Sequence, residues 1–559
     1  MRQTYFIKWR FYLVLLFLLV GVLALVARVI HLTIFTQPFL KQQGDERVLR
    51  LTTRPAFRGM IVDRNGYPLA ISTAVASIWV NPQLFDPSKT DLTQLAALLK
   101  FDRATLKKQV AKAKVKKREF LYLKRNLPPD LAHQVMALKL HGLYQEAAYR
   151  RYYPEGETAA QLLGVTNIDD QGQEGLELSY NEWLSGVPEK KWVIQDRLGR
   201  AIADVKQVQK PVQGKAIKLS IDRRIQYLAY RSLMEGVLLN HAESGSIVVL
   251  DVATGEVLAL ANYPSFNPNN RNKMQLRYAK NIAVTDLFEP GSTIKAFSIA
   301  SALDSGKFTP DTIVDTSPIR VGRKLIQDEH PKGPMTVADV IKRSSNAGVT
   351  RIILNLPPNQ LWDLLQRVGF GEITGIGFPG EQGGVLIKQD PWKDLAVATL
   401  GYGYGLSVTT LQLARAYLVI AKDGVKIPIS LFLQPQAPIG EQVIEPHIAK
   451  QMLTLLEQVV SGDGGTGDRA KVPGFRVAGK TGTSWVAGVG GYHEKKYTSS
   501  FVGIAPASRP KLVVAVVIHN PRGKEYYGGS VSGPVFEKTM EGTLRVLGVR
   551  PDGEELLSL

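Results

Sequence analysis

GSIVVLDVATGEVLALAN, Gly245 to Asn262, reads as two strands around an ATGE turn: two aliphatic, β-branched runs separated by Thr254-Gly255. Two further strands are expected far downstream, in SSFVGIAP from Ser499 and KLVVAVVIHNP from Lys511. The long stretch between these pairs has mostly helical apolar spacing. That order implies an α+β domain whose antiparallel sheet is assembled from both of its ends, with a helical part inserted. Upstream, the connector KPVQGK (Lys210 to Lys215) precedes SIDRRIQYLAYRSLMEGVLL, whose spacing is helical. The expected boundary therefore leaves residues 36–215 as a first extracytoplasmic domain, with turn signals such as DRNGYP at Asp63, and residues 216–559 as the second.

Seventeen uncharged residues, FYLVLLFLLVGVLALVA, run from Phe11 to Ala27, and apolar character resumes after Arg28 with Val29, Ile30, Leu32, Ile34 and Phe35. Residues 11–35 are thus a transmembrane anchor, with Arg28 reaching toward the headgroups. Arg2, Lys8 and Arg10 make residues 1–10 a cytoplasmic tail and place the remainder outside. A cleaved signal peptide would end in small residues, whereas the exit here reads ARVIHLTIF.

The 559 residues are 45% apolar and 21% charged, a globular composition large enough for more than one domain. The absence of cysteine excludes thiol catalysis and Cys-ligated metals. A formal charge of +19 would ordinarily raise nucleic-acid binding, but an exported domain rarely meets nucleic acid and no such motif is present. Eleven Lys or Arg lie between Lys100 and Arg125, against Asp102 and Glu119, in a helical pattern whose simplest reading is a solvated face.

EPGSTIKAFSIASALDSG, Glu289 to Gly306, breaks the chain at Pro290-Gly291 and then starts a helix that Gly306 can end. Ser292 and Lys295, three apart, share one face, and the helix N-terminus aims backbone N–H groups at an oxyanion near Ser292. A serine hydroxyl needs a base beside it. A lysine at its ordinary pKa would cost roughly 4.6 kcal/mol to deprotonate at pH 7, so burial or a second ammonium must lower that cost. KRSSNAGV (Lys342 to Val349) follows a helix capped near Thr336. It offers Ser344 as a proton relay and Asn346 as an amide donor to a substrate carbonyl. AGKTGTSW (Ala478 to Trp485) supplies Lys480 as the second cation, Gly482 as room for a substrate backbone beside a strand, and the Thr483 N–H as an oxyanion donor.

Taken in order, Ser292-x-x-Lys295, Ser344-x-Asn346 and Lys480-Thr481-Gly482 resemble the S-x-x-K, S-x-N and K-T-G set of penicillin-binding proteins and serine β-lactamases. RGMIVDRNGYPLA at Arg58, RRYYPEGETAAQLLG at Arg150, GQEGLELSYNEWLSG at Gly172 and GYGYGLSVTTLQLARAY at Gly401 look like class B signatures. FEPGSTIK and YYGGSVSGPVFEKTM at Tyr526 make the chain most similar to the division-specific septal transpeptidases. The resemblance implies an extended pedestal (dimerisation-type) domain and a C-terminal transpeptidase domain on one inner-membrane anchor, with the catalytic part periplasmic. It also implies peptidoglycan stem peptides as substrates, no cofactor or metal, and acylation by β-lactams. Ser292 would attack between the terminal D-alanines and expel D-alanine, while Lys480 with Thr481 or Thr483 holds the terminal carboxylate. A glycan polymerase of the FtsW type and other division proteins are the implied membrane partners. Ala296 and Thr410 depart from prolines common at those positions, which leaves the local helix starts open.

Three other readings fit less well. A β-lactamase usually carries a deacylating carboxylate soon after S-x-N, and residues 347–371 hold only Asp363. A β-lactam sensor needs a cytoplasmic output domain, and a division scaffold has no need of four intact catalytic side chains. An elongation-specific transpeptidase shares all three motifs and remains the rival within the family.

Overall fold

The computed structural model describes residues 8–195, 201–271, 274–329, 333–488 and 491–553. It divides into two compact units of interleaved stretches: Met1–Phe57, Ala74–Tyr149 and Gly186–Gln213 form one, and Arg58–Thr73, Arg150–Ser185 and Gly214–Leu559 form the other. Compactness thus differs from the single linear cut expected near residue 215.

In the first unit, α1 (Lys8–Ile30) is exposed along its length and continues as one wider turn, His31–Phe35. Among the described residues this is the one helix long and apolar enough to cross a membrane. At about 1.5 Å per residue its 28 residues reach roughly 42 Å, more than a hydrocarbon core of about 30 Å. Leu49–Arg54, Glu189–Gln195 and Ala201–Gln209 form an antiparallel sheet. A separate core gathers Ile78, Leu95, Leu106, Leu123 and Val135. The helix Arg103–Val115 carries five of the eleven basic residues between Lys100 and Arg125. It is capped by Asp102, which accepts the Thr105 N–H at 2.9 Å, and it turns Leu106, Val110 and Ala113 inward. Lys107, Lys108, Lys112 and Lys114 face solvent, as an amphipathic helix requires.

The last and longest stretch of the second unit, Gly214–Leu559, carries α2 (Arg223–Leu239), then β1 (Ser244–Asp251) and β2 (Val257–Tyr263). A helical stretch follows, including α3 (Lys295–Asp304), α4 (Asn346–Leu354), α5 (Thr410–Ala421) and α6 (Pro446–Ser461). The chain returns as β3 (Ala478–Gly488), β4 (Gly491–Ala505) and β5 (Leu512–His519), and closes on α7 (Gly533–Val546). The sheet order is β2-β1-β5-β4-β3, antiparallel throughout, so its two ends come from the two ends of the unit as expected. β3 is a fifth strand beyond the four expected.

Both faces of the sheet are covered, which is why its strands read as unbroken apolar runs. Ile247, Val249, Val514, Val516 and Ile518 pack with α2 and α7. Val248, Leu250, Val513, Ala515 and Val517 pack on the opposite side with α5, every residue of which is buried. The start of α5 is fixed by a capping box, Thr409 with Gln412. Thr410 places its hydroxyl 2.7 Å from that of Ser246 on β1, a contact that proline at this position would lack.

The separated stretches of this unit are tied by buried charge. Glu177 accepts the Arg58 Nε–H at 2.7 Å on one carboxylate oxygen and the Arg151 Nε–H at 2.6 Å on the other, and all three side chains are fully buried. Arg58 also donates to the Asp170 carbonyl, Asn181 and Ser185, and Arg151 to Ser72. One carboxylate therefore holds two guanidinium groups. Glu177→Ala, which leaves both buried without it, is expected to cost about 3–5 kcal/mol, read as a fall in the thermal midpoint; a midpoint unchanged from wild type would refute this.

Candidate active site

Ser292 lies in a single 3-10 turn, Gly291–Ile294, and the α-helix begins only at Lys295. In that tighter turn positions i and i+3 eclipse, so Ser292 and Lys295 align more closely than on the regular helix expected. The turn is tightened by its neighbours. The Gly291 N–H donates to the Gly403 carbonyl at 3.0 Å, Tyr417 Oη–H to the Thr293 carbonyl at 2.7 Å, and Ser484 Oγ–H to the Glu289 carbonyl at 2.7 Å. Ser292 is half-buried and Lys295 completely buried.

The S-x-N segment is a sharp corner between the helix Val337–Lys342 and α4. Ser344 takes a left-handed backbone, φ +61°, a strained choice for a residue with a side chain. The corner points the Ser344 carbonyl at Lys295 Nζ, which donates to it at 2.6 Å and to Asn346 Oδ1 at 2.7 Å. Because the oxygen of the Asn346 amide faces the lysine, its NH₂ is left for the cavity. Lys480 Nζ donates to Ser344 Oγ at 3.0 Å, and Lys295 Nζ stands 3.3 Å from the same oxygen. One hydroxyl thus bridges two buried amines.

Asp328, which the sequence reading missed, organises this corner. Its Oδ1 accepts the N–H groups of Asn346 (2.6 Å) and Ala347 (3.0 Å), its Oδ2 accepts Ser345 Oγ–H at 2.5 Å, and Ser345 in turn caps Gly348 at 2.8 Å. A carboxylate at the start of α4 suits the helix dipole. Burial lowers the Lys295 pKa to about 7, while Asp328 acts in the opposite direction. Burial also holds Lys480 well below its usual value, helped by the charge of Lys295. Three acceptors around Lys295 Nζ favour the ammonium and desolvation favours the amine, so its proton is poised near neutrality.

Edge strand β3 forms the opposite wall. Thr481 Oγ1 and Thr466 Oγ1 are 2.9 Å apart, and Thr483 Oγ1 accepts the Gly528 N–H at 3.0 Å, which leaves the Thr483 hydroxyl proton free to donate. Gly482 also has a packing role. A Cβ there would sit 2.3 Å from Ser500 Oγ, 2.8 Å from Thr293 and 2.9 Å from the Pro290 carbonyl, so the glycine lets β3 close onto the turn that carries Ser292.

These elements enclose a cavity of about 690 Å³, lined by Ser292, Ser344, Asn346, Thr481 and Thr483 among others. One flank is a run of rings: Trp485 to Tyr497 at 4.8 Å, Tyr497 stacked on Tyr526 at 4.1 Å, and Tyr526 to Tyr527 at 4.4 Å, with Tyr527 donating to Glu329. The YYGG segment carried the signal for two of these rings; nothing local marked Asp328 or Glu329. Asp363, in contrast, lies on the helix Gln360–Arg367, accepts from Asn359 and does not line the cavity. Three carboxylates do line it, and all are engaged: Asp328 by α4, Glu329 by Tyr527, and Asp468, far beyond S-x-N, by the Arg469 N–H.

A hydroxyl aligned with a lysine whose pKa is near 7, a second buried amine, and no thiol define a serine-type acyltransferase. Residues 245–541 match the penicillin-binding protein transpeptidase domain, and residues 53–219 the penicillin-binding protein dimerisation domain. The chain belongs to the class B penicillin-binding proteins, the serine-type peptidoglycan D,D-transpeptidases that join these two domains. It is 42% identical over 547 residues to the probable peptidoglycan D,D-transpeptidase PbpC of Pseudomonas aeruginosa, covering 98% of this chain and 96% of that one. It is 40% identical over 551 residues to the peptidoglycan D,D-transpeptidase FtsI of Escherichia coli K12, covering 98% and 93%. Among solved structures, penicillin-binding protein 3 of Mycobacterium tuberculosis complexed with aztreonam is 27% identical with a TM-score of 0.70, covering 90% of this chain and 98% of that one. The transpeptidase domain of Burkholderia pseudomallei penicillin-binding protein 3 is 42% identical with a TM-score of 0.56, covering 60% and 98%.

The Lys295 amine accepts a proton only when neutral, so the rate of acylation by benzylpenicillin is expected to rise with pH along a limb centred near pH 7. Asp328 raises the Lys295 pKa, so Asp328→Asn should move that limb to lower pH. A limb that stays in place or moves upward in stopped-flow acylation would contradict the assignment.

Proposed function

We propose that this chain cross-links peptidoglycan stem peptides at the division septum through an ester on Ser292. The observation that carries the reading is the meeting of Lys295 and Lys480 on Ser344 Oγ within the cavity that Ser292 lines. Ser292 Oγ attacks the carbonyl between the two terminal D-alanines and passes its proton to Lys295. The backbone N–H groups of Ser292 and Thr483 receive the oxyanion. Collapse breaks the peptide bond, and the departing D-alanine amine takes a proton relayed from Lys295 through Ser344. An amine of a neighbouring strand then attacks the ester, gives up a proton along the same route and restores Ser292. The Asn346 NH₂ holds the donor backbone, and Lys480, Thr481 and Thr483 hold the terminal carboxylate, with Gly482 keeping β3 against Ser292.

Residues 36–215 serve as the pedestal and residues 216–559 as the transpeptidase domain. Residues 1–10 lie in the cytoplasm and residues 11–35 cross the inner membrane once, with the catalytic domain periplasmic. A polymerase of the FtsW type supplies the glycan strands. The septal role is supported by the FEPGSTIK and YYGGSVSGPVF contexts and by relatives named FtsI.

Ser292→Ala is expected to abolish covalent labelling by a fluorescent penicillin while the thermal midpoint stays within a degree or two of wild type; undiminished labelling would sink the mechanism. Depletion in a growing cell is expected to give filaments without septa. Rounded cells would favour an elongation role instead.

A further inference from the structure

Four charged side chains line the cavity, and three of them are committed to protein partners: Asp328 to the start of α4, Glu329 to Tyr527, and Asp468 to the Arg469 N–H at 2.9 Å. The fourth, Arg343, is half-buried, and its guanidinium makes no hydrogen bond or ion pair with any described residue. Asp339, on which its charge acts, is already paired with Lys342 at 2.7 Å, which with the Arg343 charge holds its carboxyl below the usual range. The guanidinium is nevertheless placed. It lies against the backbone of Gly464, where a Cβ would come within 2.6 Å of Nη1 and 3.2 Å of Cζ, and where φ is +68°. Two residues on, Thr466 shares its hydroxyl hydrogen bond with Thr481 of β3. A planar cation and two hydroxyls therefore border the same end of the cavity as Lys480, with a glycine keeping room for the cation.

We propose that Arg343 reads a carboxylate borne on the carbon next to the reacting amine. The inference rests on the transpeptidase reading and extends it to both amines of the reaction. The leaving group is a D-amino acid, an amine one carbon from a carboxylate. Since acyl transfer to an amine is the reverse of amine expulsion, an acceptor strand whose amine is also one carbon from a carboxylate would enter through the same place. A guanidinium suits that task because it offers two parallel N–H donors to a carboxylate, which an ammonium cannot.

The test uses the full-length chain in detergent and two matched pairs of small molecules. In the donor arm, an acylated peptide ending in D-Ala-D-Ala is compared with its C-terminal carboxamide by release of the last residue. In the acceptor arm, isotope-labelled D-alanine is compared with D-alaninamide as the amine that captures the acyl-enzyme. Arg343→Ala and Arg343→Gln are expected to lower the acid-to-amide ratio of kcat/KM by about tenfold, the weight of one charge-assisted pair, mainly through KM. Arg343→Lys should retain part of the preference. Saturating fluorescent penicillin reports in each case that the site is intact. A ratio that falls only in the donor arm assigns the carboxylate to the leaving D-alanine, and one that falls only in the acceptor arm assigns it to the incoming strand. Equal losses on acid and amide, or an unchanged ratio in both arms, overturn the proposal. A wild-type chain that releases no D-alanine would instead sink the transpeptidase reading beneath it.

Discussion

Two lysines buried around one serine hydroxyl are the constraint that the rest of this structure serves. Lys295 and Lys480 are both withdrawn from water, and each donates toward Ser344. Burial in a low-dielectric interior disfavours the charged form of each and so lowers their proton affinity, and the charge of Lys295 adds to the effect on Lys480. The surroundings must therefore be stiff enough to resist relaxation. The 3-10 turn holds Lys295 from below, the strained corner at Ser344 holds the acceptor between the amines, and β3 carries Lys480 on a sheet packed on both faces.

The supports are mostly backbone groups and caps. Asp328 satisfies the first N–H groups of α4 and leaves the Asn346 side chain to Lys295 and the cavity. Gly482 allows a sheet edge to approach a helix start more closely than any side chain would permit. Far from the cavity, Glu177 does similar work for Arg58 and Arg151, joining stretches that are more than a hundred residues apart in the chain.

Much of this was legible in the sequence, because strands covered on both faces are apolar throughout and a serine three residues before a lysine is visible as a spacing. The four strands around Gly245 and Ser499 were readable for that reason, as were the capped helix at Thr336 and the three motifs. What escaped was non-local. Asp328 has no pattern around it, since its role depends on a helix that starts eighteen residues later. The 3-10 character of the turn at Ser292 depends on Tyr417 and Gly403, more than a hundred residues away. The search for a carboxylate after S-x-N looked along the chain in one direction, while the fold brought Asp328 and Glu329 from the other. The buried ion pairs that join the separated stretches of the second unit are likewise something no linear reading displays.

The order of strands in the main sheet has a consequence for how such a chain becomes active. β5, nearly the last element made, lies between β1 and β4, so β3 and the lysine it carries are joined to the first half of the sheet only through it. The sheet that carries Lys480 is thus complete only when its last strand has been made.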